Sequence, residues 1–174
     1  MLTHRLARPG DVPALTSLME EAISKLLKPY LSADQIAASR TIMGIDTQLI
    51  EDGTYFVIEE EGQLAGCGGW SRRATMYGGS HSPGRNAALL DPMTEPARIR
   101  AMYTSPAFTR RGVGRLIMTL CEEAARADGF RRAELVATLA GEPLYRACGY
   151  QQIEHFNDQQ GLTPVPLVKM GKTL

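Results

Sequence analysis

Neither sign of charge dominates this sequence. Its 19 acidic and 19 basic residues cancel, so no global field draws in nucleic acid or an anionic membrane surface. Any anion site has to be local. No apolar run approaches the roughly 18 residues that a membrane helix needs, and the start MLTHRLARPGD has no apolar signal core. Neither a membrane span nor a signal peptide is therefore expected. Cysteine is scarce, and Cys67, Cys121 and Cys148 stand far apart with no CxxC and no zinc spacing. They read as reduced, buried hydrophobes in a cytoplasmic protein with no metal site. Repeats and low-complexity tracts are absent.

What is present is enough for one domain with its own core: 174 residues, 44% apolar and 22% charged. LTHRLAR alternates as a first strand. Leu15, Leu18, Met19, Ala22, Ile23, Leu26 and Leu27 recur at three and four, the face of a helix with Asp11 as its N-cap and Pro29 as its stop. Ser32 and Gln35 form a capping box for a second helix that runs toward Gly44. Tyr55 to Glu59 and Leu64 to Trp70 read as a hairpin turning at Glu61-Gly62, with Gly66, Gly68 and Gly69 marking a bulge or a close contact. Residues 72–96 have no period and form a long loop, functional or mobile. ARIRAMYT is a strand, and Leu116 to Ala125 is a third amphipathic helix closed near Gly129. RAELVAT, GEPLYRACGY, YQQIEHF and VPLVKM follow as strand, short helix, strand, strand. The order β-α-α-β-β-β-α-β-α-β-β implies a mixed α/β architecture.

Between the strand ending near Pro106 and the third helix lies SPAFTRRGVGRLIM, with three arginines around Gly112 and Gly114. Strand, glycine loop and helix together make an anion site, because the first backbone N–H groups of a helix lack internal partners and the helix dipole adds partial positive charge. A P-loop is excluded because no Lys-Ser/Thr pair follows Gly114. A dinucleotide fingerprint lacks its third glycine, since Ile117 stands there, although Glu134 is near the acid's spacing. Beside these stands the plainer reading of a glycine-rich turn with solvated arginines.

The same stretch, MYTSPAFTRRGVGRLIM, resembles motif A of the Gcn5-related N-acetyltransferase (GNAT) superfamily, in which a strand leads to a proline and a [Q/R]xxGx[G/A] loop opens a helix. AELVAT followed by GEPLYRACGYQQIE resembles the family's closing pattern, and the close resemblance covers about residues 98–155. Thr109 stands where the motif usually has Gln or Arg, which removes a side-chain contact but no backbone amide. Arg98 and Arg100 occupy the strand that often carries an acid, and an asparagine common before the short helix is missing.

The resemblance implies a central, mostly antiparallel mixed sheet flanked by helices. It implies acetyl-CoA as co-substrate and a small-molecule or peptide amine as acceptor, its pocket built by the early helices and loops at Leu27 to Gly44 and Arg72 to Pro96, with no nucleic acid or membrane partner, and it leaves a homodimer open. Val113, Gly114 and Arg115 would offer amides to the pyrophosphate, with Thr109 and Gly112 in the same turn and Arg110, Arg111 and Arg115 adding charge. The backbone of Met102, Tyr103 and Thr104 would pair with the pantetheine arm. Tyr145 would return a proton to the departing thiolate. The base is left open among Glu59, Glu60, His81, His155 and a water relay. Two other classes stay in view: a GNAT-fold sensor of acetyl-CoA or an amine that turns nothing over, and a Rossmann-type oxidoreductase.

Overall fold

In the computed structural model, which describes residues 1–174, the chain opens with β1 (Leu2–Leu6) laid antiparallel along β2 (Tyr55–Glu60). β2 turns through Glu61 and Gly62 into β3 (Gln63–Ser71), and both turn residues have positive φ (52° and 79°), which suits the twist of a two-residue hairpin. β4 (Ala97–Thr104), β5 (Arg132–Thr138), β6 (Gln151–Asp158) and β7 (Val165–Thr173) complete one sheet in the order β1-β2-β3-β4-β5-β7-β6. Every neighbouring pair is antiparallel except β4 with β5. The mixed, mostly antiparallel sheet expected above is thus present.

Three helices precede the hairpin, where the sequence pattern predicts two: α1 (Val12–Leu26), α2 (Ala33–Ser39) and α3 (Thr47–Glu51). The capping box forms, with the Gln35 amide donating to Ser32 Oγ at 3.2 Å and the Ser32 amide to Gln35 Oε1 at 3.0 Å. The helix it starts stops at Ser39 rather than near Gly44. α3 has five residues, too few for a 3.6-residue period to register, and is announced only by Asp46, whose carboxylate accepts from the Gln48 amide. Asp11 sits at the N-cap of α1, but its carboxylate turns back to the Arg8 amide (2.7 Å) and the Arg5 guanidinium (2.8 Å).

α1 buries Leu15, Leu18, Met19, Ala22 and Ile23 against one face of the sheet, where Tyr55, Val57 and Cys67 wait. The other face receives α4 (Val113–Ala127) and α5 (Glu142–Ala147), with Ile117, Met118 and Cys121 packed on Ile58, Ala65 and Leu135. Each fully buried side chain of this size contributes roughly 1.5–3 kcal/mol before the entropy of ordering it. The glycines of β3 have a packing role here. A Cβ on Gly66 would come within 2.5 Å of Val113 Cγ1, and one on Gly68 within 2.7 Å of Ile117 Cγ2. Bare backbone lets α4 ride close on the sheet and brings its first turn beside β4.

Two features of β4 open the sheet. It pairs with β5 only at Ala97–Arg98, opposite Ala133–Glu134, after which β5 continues its pairing with β7 alone. Opposite Cys67–Gly69 the register shifts, and Ala101 takes a left-handed φ of 51°. The Tyr55 hydroxyl, from under the sheet, donates to the Ala101 carbonyl at 2.7 Å and holds this bulge.

Candidate active site

Where β4 and β5 part, a cleft of about 920 Å³ enters the molecule. One arm is built from the turn before α4 and the start of α5. Gly112 caps α4 with φ 84°, and nothing lies within 4 Å of where its Cβ would point, so backbone conformation alone calls for glycine there. Gly114 answers a different demand, since its Cβ would lie 2.6 Å from Leu144 Cδ2 of α5. Arg110 is also left-handed (φ 63°), a strain of roughly 1–2 kcal/mol for a side chain with a Cβ. By position, the Val113, Gly114 and Arg115 amides have no partner one turn back, so the helix begins with donors facing the cleft.

Met102, Tyr103, Thr104, Thr109, Arg110, Gly112, Val113, Gly114, Arg115 and Tyr145 all line this cleft. Arg111 does not. Its guanidinium pairs with Glu60 and lies over the Phe108 ring at 5.1 Å, outside the cleft. Tyr145, 8% exposed, packs edge-on to Tyr150 at 6.4 Å between ring centroids. No side-chain hydrogen bond acts on its hydroxyl. Burial, with a smaller effect of the Cys121 and Cys148 thiols, pushes its pKa well above the ordinary phenol value, so it keeps its proton at any physiological pH.

None of the four candidate bases lines the cleft. Glu59 pairs with Arg5 at 3.0 Å, and Glu60 is held by Arg111 and the N-terminal amine. His81 Nε2 lies 2.7 Å from the Arg40 carbonyl, and His155 sits on the exposed part of β6. The arginines of β4 have structural partners. Arg98 pairs with Glu134 across the β4–β5 contact (3.1 Å), so Glu134 is not a free ribose-binding acid. Arg100 is buried against Asp46 at 2.9 Å.

The other arm draws on the two segments, 27–44 and 72–96, in which the resemblance implies the acceptor pocket, and adds the end of α1 and Leu167. Its walls are the last turn of α1 with Tyr30, the Ile42–Gly44 turn, Met76–Gly78 and Leu167. The loop that supplies Met76–Gly78 is pinned rather than loose. Asp46, with a side chain only 1% exposed, accepts from Arg85 and Arg100, and Arg100 also donates to the carbonyls of Thr75 and Gly78. The Gly44 amide donates to the Tyr103 hydroxyl at 2.9 Å, fixing the neighbouring turn to β4. The Tyr77 hydroxyl donates to Asp158 across 81 positions of sequence, a pairing without local signal.

No helix of the chain is long and apolar enough to cross a membrane. No curated protein sequence matches it significantly. Among solved structures, a GCN5-related N-acetyltransferase from Rhodopseudomonas palustris superposes with a TM-score of 0.72 at 16% identity, over 99% of this chain and 95% of that one. PaiA N-acetyltransferase from Thermoplasma acidophilum, solved with coenzyme A, gives 0.68 at 11% identity over 100% and 99%. Ribosomal-protein-alanine N-acetyltransferase from Brucella melitensis gives 0.66 at 19% identity over 99% of each chain. At such identities these likenesses speak to the fold. The family model for the acetyltransferase (GNAT) family matches residues 16–150, a span that takes in most of α1, the split between β4 and β5 and all of the cleft wall named above except Leu167. On that match the chain belongs to the GNAT acetyltransferase family.

Proposed function

We propose that the protein is a single-domain N-acetyltransferase that moves the acetyl group of acetyl-CoA to a primary amine by direct attack. The observation that carries this reading is one juxtaposition. The unpartnered amides at the start of α4, the unpaired side of β4 beyond Arg98 and the Tyr145 side chain all face one cleft. Coenzyme A in the PaiA structure from Thermoplasma acidophilum supports an acyl-CoA as the donor.

In this reading the Val113, Gly114 and Arg115 amides receive the pyrophosphate, and Arg110 and Arg115 add charge. Met102, Tyr103 and Thr104 offer main-chain partners to the pantetheine arm. An amide of β4 beside the bulge at Ala101 stabilises the oxyanion as the amine adds to the thioester carbonyl. The C–N bond forms and the C–S bond breaks, the nitrogen gives up one proton, and the thiolate takes the Tyr145 proton, which Tyr145 then regains from solvent. The three free thiols, Cys67 and Cys121 buried and Cys148 half-buried, suit a reducing cytoplasm.

The test is calorimetric titration with acetyl-CoA together with thiol release in the presence of an amine panel. Binding with amine-dependent release is the expected result. Binding without release from any amine would assign the chain to sensing, and no binding would end the acyl-CoA reading.

A further inference from the structure

The acceptor arm carries more than a location. No Asp, Glu or His lines any part of the cleft, and its charged side chains, Lys25, Arg100, Arg110 and Arg115, are all cationic. Arg100 is neutralised by Asp46, and Lys25 pairs with Glu21 at 2.7 Å. The rest of the acceptor wall is apolar or phenolic: Leu26, Leu27, Ile42, Met43, Met76 and Leu167, with Tyr30, Tyr77 and Tyr103. A wall of this kind offers no counter-charge to a second ammonium group, and an uncompensated cation brought into apolar surroundings is strongly disfavoured. It suits an aliphatic or aromatic body.

One phenol in this wall differs from its neighbours. Tyr77 Oη donates to Asp158 Oδ1 at 2.9 Å, and Asp158 is 3% exposed and accepts also from the Gln160 amide. The Tyr77 ring leans on Phe156 at 6.0 Å, and the next carbonyl, Gly78, accepts from Arg100, one residue before the bulge. Tyr77 is part of the cleft wall, and with its own proton committed to a buried carboxylate its oxygen keeps lone pairs with which to accept. Tyr103 differs, because its oxygen already accepts from the Gly44 amide.

We infer that the acceptor is a monoamine with an apolar body, and that Tyr77, backed by Asp158, is the group that meets its nitrogen. This rests on the acetyltransferase reading above. The amine N–H donates to Tyr77 Oη. As the nitrogen adds to the thioester carbon and becomes positive, it passes a proton to Tyr77 Oη while the Tyr77 proton moves to Asp158. The thiolate leaves with the Tyr145 proton. Asp158 then loses its proton to water, Tyr145 regains one, and the products are an amide and a free thiol. Tyr77 is a catalytic residue in this scheme, and Asp158 a positioning residue that acts through it. The pair supplies the proton acceptor that Glu59, Glu60, His81 and His155 do not.

The test compares phenethylamine, hexylamine, spermidine and phenylalanine as acceptors, with thermal shift by each amine alone as a donor-free measure of the arm. The expected order puts kcat/KM for the two apolar monoamines at least about tenfold above spermidine and phenylalanine, with the same order in thermal shift. Tyr77→Phe, which keeps the ring, and Asp158→Asn should each lower kcat for phenethylamine by roughly 10- to 100-fold, as for loss of a proton acceptor. The acetyl-CoA affinity should stay within about twofold. The loss should shrink with a weakly basic amine such as trifluoroethylamine, which gives up its proton more readily. A packing role alone would not produce that dependence. Spermidine or phenylalanine as the better acceptor, or wild-type kcat in a folded Tyr77→Phe protein, would overturn the inference. Amine preference in thermal shift without acetyl-CoA binding would instead uphold the arm's specificity and remove the donor reading.

Discussion

The two arms of the cleft are built by different means. The arm at the start of α4 is mostly backbone: a left-handed Gly112, a glycine that admits Leu144, and three amides left over by helix geometry. All of it lies within a few consecutive residues. The acceptor arm is mostly side chains from four distant segments, and ion pairs rather than chain continuity hold it in register. Asp46 ties Arg85 and Arg100, and through them the loop that carries Met76 and Tyr77. A backbone site tolerates side-chain drift but not a new Cβ. A side-chain site has the opposite vulnerability.

The largest effect should come from breaking the acceptor arm at its centre. Asp46→Ala leaves two arginines facing a buried hole, and removal of one partner from a buried ion pair costs about 3–5 kcal/mol. Denaturant unfolding should show this loss. Any folded fraction should still bind acetyl-CoA within about threefold of wild type, because the other arm does not lean on Asp46. A large fall in donor affinity at intact fold would mean the arms are not independent.

Next in size is the junction of the arms. Tyr145→Phe preserves the packing on Tyr150 and removes the proton, so kcat should drop by roughly 10- to 1000-fold with donor affinity within about threefold. The loss should be smaller with a donor whose thiol is more acidic. Because burial raises the Tyr145 pKa, its acid form persists as pH rises, so loss of this proton should not lower kcat below about pH 10. Wild-type kcat in the mutant, under conditions where chemistry limits, would assign Tyr145 to packing.

The backbone arm should respond to bulk. Gly114→Glu places atoms against Leu144 and a negative charge beside the amides, and acetyl-CoA affinity should fall more than about tenfold, or 1.4 kcal/mol. Unchanged affinity by calorimetry would remove the pyrophosphate from this turn.

The smallest effects separate the arginines. Arg110 and Arg115 line the cleft and should make donor binding weaken by a few-fold, about twofold to fivefold, between low and high salt. Arg111 is engaged with Glu60 and Phe108, so Arg111→Ala should shift donor affinity by less than about twofold. A larger loss would mean that Arg111 exchanges its partner when donor binds.

The backbone arm was legible residue by residue, the acceptor arm only as two broad segments, 27–44 and 72–96, that the resemblance implies. A glycine pair after a strand and before an apolar helix is a local pattern, and the left-handed conformation that Gly112 takes lies within it, although the reason for Gly114 is Leu144 of α5. The helix faces of α1 and α4 were legible for the same reason, each being a period along one segment. Arg111 marks the limit of that logic. It lies in the right turn, yet a carboxylate on β2, far away in sequence, decides where it points. α3 was invisible because five residues carry no period. The proton acceptor is open in the sequence for a related reason. Glu59, Glu60, His81 and His155 stand out by residue type and place in the chain, but tertiary contacts bind or expose every one of them away from the cleft, which leaves the water relay among the sequence alternatives.

Amino-acid order alone determined the order of the strands and most helices, the turn that opens α4 and the short helix that carries Tyr145, because each rests on interactions among near neighbours. Only the tertiary structure decided the divergence of β4 from β5, the Tyr55 hydrogen bond that holds the bulge, the burial of Arg100 on Asp46 and the meeting of Tyr77 with Asp158. Those depend on which distant groups the packed sheet leaves without water, and a desolvated polar group takes whatever partner the fold brings within reach.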